Sequence, residues 1–104
     1  MGQFKVNFDD INWETSQAGA RFKAFRQGGK QIRLIEFTLD FVEKDWCVKG
    51  HVGFVLEGGI EIDFGGEIVS YAAGQGIFIT ENESNKHKAR SITPLVKLIL
   101  VEDL

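Results

Sequence analysis

The chain has 104 residues, 43% of them hydrophobic, a formal charge of −3 and a single cysteine. That length supports one core, read as a single domain over 1–104, and the acidic balance with scattered cations argues against nucleic acid as a partner, which demands a clustered positive surface. One cysteine excludes an internal disulfide and a cysteine-rich zinc module. No apolar run approaches the roughly 20 residues that cross a bilayer, and MGQFKVNFDD lacks the regions of a signal peptide, so no membrane partner and a cytoplasmic location are expected.

Apolar residues recur with a period of two, the signature of half-buried strands, almost everywhere. Phe4, Val6 and Phe8 alternate with polar residues and predict a first strand, with a short turn at Asp9-Asp10. FKAFRQ and KQIRLIEF flank Gly28-Gly29 as a hairpin, and Ile35, Phe37, Leu39 and Phe41 alternate against Glu36, Thr38 and Asp40. Gly58-Gly59 ends HVGFVLE at hairpin spacing before GIEIDF, and Gly65-Gly66 separates that strand from EIVSYAA; paired glycines supply the positive φ angles of tight turns. GQGIFIT is a further strand. After a turn at Thr93-Pro94, Leu95 to Val101 forms the last strand, apolar on both faces. About nine or ten short strands and no helix longer than a turn predict an all-β fold, a closed barrel or two sheets.

Alternation also assigns faces. On the central strand His51, Gly53 and Val55 share one face and Val52, Phe54 and Leu56 the other. The small face with its histidine predicts a cavity, and the bulky face predicts packing against a second sheet or a partner subunit. Lys86, Lys88 and Arg90 share a face that must meet water, which turns His87, Ala89 and Ser91 inward. His51, His87, Lys49 and Gly53 are therefore the candidate ligand-binding residues. Each has a plainer reading: the histidines as hydrogen-bonded structural residues, Lys49 as a rim cation instead of an anion anchor. Cys47 reads as a small buried hydrophobe and Asp45 as part of a solvated turn. Trp13 and Trp46 read as core or interface aromatics, Glu81 and Glu83 as an acidic loop. No serine stands in a nucleophile elbow, and no glycine loop leads into a phosphate-binding helix.

HVGFVLEG and GQGIFITENESNKHKAR resemble the two sequence motifs of the cupin superfamily. His51 stands where the first motif has its glutamate, and Gly58 closes it. Gly74 matches the first glycine of the second motif, Thr80 and Asn82 replace its proline and second glycine, and Asn85 occupies its histidine position, with His87 two residues beyond. The resemblance implies a jelly-roll barrel, also called a double-stranded β-helix. With a three-residue spacer, the family's metal positions fall on Asp45, Cys47 and His51, and His87 completes the set; with a four-residue spacer they fall on Lys44 and Trp46, which are not ligands. Carboxylate, thiolate and imidazole together suit a divalent first-row metal such as Zn, Fe, Mn or Ni, the alternative being a barrel that has lost its metal. Three functions follow from the resemblance and the faces. The first is a binder of a small polar metabolite in the barrel cavity. The second is a metal-dependent or histidine-dependent enzyme, an oxygenase, isomerase or lyase. The third is an assembly subunit. Pairing through the outer sheet, as cupins resembling this chain do, and nine phenylalanines imply a homodimer.

Overall fold

The computed structural model describes residues 4–104. Nine strands run in the order β1 (Glu14–Gln17), β2 (Ala20–Gln27), β3 (Lys30–Thr38), β4 (His51–Glu57), β5 (Gly59–Asp63), β6 (Ile68–Ala72), β7 (Gly76–Ile79), β8 (Lys88–Ser91) and β9 (Leu95–Asp103). The described residues hold only two one-turn 3-10 helices, Phe8–Asp10 and Glu83–Asn85, and no helix long and apolar enough to cross a membrane. A six-stranded sheet, β1-β2-β3-β9-β4-β7, faces a three-stranded sheet, β6-β5-β8. All pairings are antiparallel. The two sheets lie over one another as the halves of a jelly roll, without ladders that close them into a hydrogen-bonded barrel.

The core forms where the inward rows of both sheets meet. Ile35, Val55, Ile77, Ile79, Val96, Leu98 and Leu100 from the large sheet pack against Ile60 and Ile62 from the small one, and Val55 and Val96 are fully buried. Nearly complete burial of such aliphatic side chains stabilises by about 1.5–3 kcal/mol each. Phe37 and Phe41 stack in parallel with ring centroids 3.8 Å apart on the flank of this core.

Three local expectations are revised. Phe4, Val6 and Phe8 lie outside any strand, and Phe4 is exposed, because no neighbouring strand takes up that segment. The alternation through Leu39 is broken, since β3 ends at Thr38 and a turn closed by the Phe41 amide on the Thr38 carbonyl (3.0 Å) swings Leu39 into water while returning Phe41 to the core. Gly58-Gly59 is a corner and not a hairpin: β4 pairs with β7 and β9, whereas β5 pairs with β6 and β8, so the chain changes sheets there. Gly58 has φ of +73°, and a Cβ on it would strike the Leu95 carbonyl and the Thr93 hydroxyl. The backbone turns inside a space that only glycine permits.

The outer face of the large sheet carries a continuous apolar row. Register aligns Phe25 with Ile32, Ile32 with Val101, Val101 with Val52 and Val52 with Phe78. A second row runs from Leu34 through Ile99 to Phe54. Val52, Phe54, Leu56 and Phe78 are exposed by 43%, 45%, 48% and 80%, so no second sheet among the described residues covers them. Trp13 and Trp46 are not core residues either; each lies at the surface under cations, Trp13 beneath Arg21 at 4.1 Å and Trp46 beneath Lys88 at 4.5 Å.

Candidate functional site

Residues from three parts of the chain meet between the sheets. Cys47 and His87 form an isolated antiparallel bridge, each amide bonded to the other's carbonyl at 2.9 Å, which sets their side chains on one side of the backbone pair. His51 begins β4 opposite Ile79, its ring edge-on to that of His87 with centroids 5.3 Å apart. One donor atom each of Cys47, His51 and His87 lies within 4.8 Å of the others.

Hydrogen bonds fix which nitrogen each imidazole offers. His87 is 1% exposed and its Nδ1 lies 2.9 Å from the Asn85 carbonyl oxygen. A carbonyl only accepts, so Nδ1 carries the proton and Nε2 presents a lone pair. That Nε2 is buried without a partner among the described residues. Asn85 is itself held by its side-chain amide donating to the Thr80 carbonyl at 3.0 Å, within a 3-10 turn capped by the Asn82 side chain. The His51 Nδ1 donates to Glu102 Oε2 at 2.7 Å, which leaves its Nε2 for chemistry.

Glu102 is the centre of a charged cluster that sequence reasoning missed. Its oxygens accept from Arg33 Nε at 2.6 Å, from Arg33 Nη2 at 2.7 Å and from the Gln31 amide at 2.9 Å. Burial pushes its pKa up, but hydrogen bonds and positive charge from His51 and Arg33 outweigh burial and hold it at about 2. A carboxylate ionised at all physiological pH values and bonded to the far nitrogen of an imidazole is the usual outer partner of a metal-binding histidine. The signal was present in the alternation of β9: Leu98 and Leu100 face inward, and one more step puts Glu102 on the same face.

The remaining candidates separate. Lys49 lines the central cavity, exposed near its mouth. Gly53 does not line it: a Cβ there would strike the Ile99 carbonyl and approach Leu100 Cδ2 to 2.8 Å, so this glycine serves the close packing of β4 on β9. Asp45 is exposed and stands apart from Cys47, His51 and His87, lining a shallow depression with Asp40, Glu43 and Lys44 instead. A chain step away from the bridge at Cys47 carries it out to the surface. The cavity itself is open, about 1120 Å³, walled by Phe22, Ile35, Phe37, Ile62 and Leu98, with the three donors among its lining.

A cysteine sulfur, two oriented imidazoles, one orphaned buried lone pair and an ionised outer carboxylate fit a first-row divalent metal; the donor set is three residues, without Asp45.

No protein-family model matches the chain, and neither does any curated protein sequence. Solved structures do. KdgF from Halomonas sp. superposes with a TM-score of 0.80 at 18% identity, covering 99% of this chain and 94% of that one. An RmlC-like cupin from Shewanella frigidimarina gives 0.76 at 17% identity, covering 98% and 91%. An Fe(II) form of HppE gives 0.75 at 16% identity, covering 97% of this chain and 60% of that one. Two facing antiparallel sheets that superpose on these structures over nearly the full length of the chain give the protein the cupin fold.

Proposed function

We propose that the protein binds a divalent first-row metal through Cys47, His51 and His87 and takes a small molecule into the cavity above it. The observation that carries this reading is the buried, unpartnered Nε2 of His87 beside Cys47 and His51. A buried acceptor without a partner is destabilising by about 1–3 kcal/mol, and a bound cation removes that cost. HppE, a structure of the same fold, is described with Fe(II), which supports a metal in this fold. When bound, such a metal supplies Lewis acidity to an oxygen of the ligand. The chain's own residues hold the donors in place: Glu102 keeps the His51 proton on Nδ1, and the Asn85 carbonyl keeps the His87 proton on Nδ1.

Elemental analysis of untagged protein, followed by zinc titration of chelator-treated protein, tests the proposal. One equivalent of metal, and a rise in melting temperature with zinc that Cys47→Ser abolishes, are expected. Protein that neither retains nor takes up a metal refutes it. The His51–Glu102 contact favours a second, metal-free reading in which His51 Nε2 is a general base; activity that survives complete chelation would select it.

A further inference from the structure

We infer that the Cys47–His51–His87 centre is a zinc site for non-redox chemistry, with its fourth coordination position open to the cavity. The inference deepens the metal reading of this site and rests on it, naming the metal that the donors select and the reactions that this metal leaves.

The donors contain no carboxylate. Among the described residues, the group of metal-ligating side chains whose atoms lie within 4.8 Å of one another is Cys47, His51 and His87 alone. The four carboxylates of the cavity lining are Glu43, Glu81, Glu102 and Asp103. Glu102 has both oxygens engaged, Oε1 by Arg33 and Gln31 and Oε2 by Arg33 and His51. Glu43 Oε1 accepts from the Ala89 amide at 3.0 Å, and Asp103 pairs with Lys30 at 2.7 Å. Glu81 is exposed and stands outside the cluster. Both imidazoles carry their proton on Nδ1, so each offers a neutral Nε2, and that of His87 is buried with no other partner.

One sulfur and two imidazole nitrogens discriminate among the first-row metals. Mn(II) suits oxygen donors, non-haem Fe(II) centres add a carboxylate to two histidines, and Ni(II) suits tetragonal fields of nitrogen and oxygen. Zinc takes sulfur and nitrogen together in a tetrahedral field. Copper also accepts two histidines and a cysteine, commonly beneath a weak axial thioether; the chain's one methionine is Met1, which lies outside the described residues.

Three protein donors leave a tetrahedral ion one position short, the arrangement of catalytic zinc and not of structural zinc. All three donors line the same cavity, so water or an oxygen of a small molecule reaches the free position from there. Zinc does not change its oxidation state. Of the oxygenase, isomerase and lyase reactions, the oxygenase therefore falls away, and Lewis-acid chemistry on a bound oxygen remains.

The test is anaerobic dialysis of chelator-treated protein, kept reduced with a phosphine, against equimolar Mn(II), Fe(II), Ni(II) and Zn(II), followed by elemental analysis. Zinc is expected in at least about tenfold excess over each of the others, and Cys47→Ser should abolish most of that preference. Cobalt(II) in place of zinc reads the donors directly. It should show a sulfur-to-cobalt charge-transfer band that Cys47→Ser lacks, and the strong visible absorption of a four-coordinate ion. Azide probes the open position and at millimolar concentration should shift those visible bands. Glu43→Gln, which keeps an oxygen for the Ala89 amide, and Glu81→Gln should leave zinc affinity unchanged. Preference for Mn(II), Fe(II) or Ni(II), copper in the protein as purified, a missing charge-transfer band, visible bands indifferent to azide, or a loss in either glutamine variant as large as in Cys47→Ser each overturn the inference while a metal still binds. Failure of the metal reading itself looks different: none of the four metals is taken up, and the zinc assignment falls with it.

Discussion

Replacing Glu102 by Gln removes one negative charge from the cluster that orients His51. The carboxylate accepts four hydrogen bonds, from both Arg33 nitrogens, Gln31 and His51, at 2.6 to 2.9 Å. Holding its pKa at about 2 in place of 4.5 corresponds to about 3 kcal/mol of stability at neutral pH. A buried pair that loses one partner costs about 3–5 kcal/mol; the Arg33 side chain keeps 21% exposure and that of His51 19%, which moves the expectation to the lower end. Urea denaturation of chelated protein at pH 7 should therefore show Glu102→Gln less stable by about 2–3 kcal/mol. The pH dependence carries the sign. A carboxyl group with a depressed folded pKa stabilises fully above its unfolded value, and that stabilisation is lost as pH falls from about 4.5 towards 2. Wild type and variant should converge across that window as the wild type loses its advantage. A stability difference that stays constant from pH 6 to pH 2, or one below about 0.5 kcal/mol at pH 7, would refute the reasoning, because surface charges in water give values that small.

Further outcomes follow from single contacts. Gly53→Ala forces a methyl against the Ile99 carbonyl and should cost about 3 kcal/mol or more, seen as a collapse of the melting temperature; wild-type stability would show that β4 and β9 can separate. We propose that the apolar rows on the outer face of the large sheet pair two copies of the chain. Light scattering should then give about twice the 11.7 kDa chain mass, and Phe54→Lys with Phe78→Lys should give the monomer; a wild-type monomer at micromolar concentration would remove the pairing. Asp45→Ala should leave zinc affinity unchanged while Cys47→Ser lowers it at least about tenfold, measured by competition with a chelator. Equal losses would return Asp45 to the ligand set.

The all-β class and the inward direction of His51 and His87 were legible because a strand has a period of two and each histidine was embedded in an unambiguous alternation. Lys86, Lys88 and Arg90 had to face water, so His87 had to face in, and it is 1% exposed. The donor set was only partly legible: spacing nominated Asp45, Cys47 and His51 alike, but spacing does not say where an extended segment leaves the sheet. The chain leaves it beside Cys47, and Asp45 is left in water. Gly53 likewise read as room for a ligand, whereas the space over it is filled by the backbone of β9.

What the sequence by itself determined is local: the all-β class, the faces of the side chains along the central strands, and where glycine lets the backbone turn. What only the tertiary structure decided is which faces meet. The change of sheets at Gly58, the Cys47–His87 bridge and the union of Arg33, His51 and Glu102 all join segments far apart in the chain. Pairing of that kind is set by the global packing of two sheets around one core, and no local periodicity encodes it.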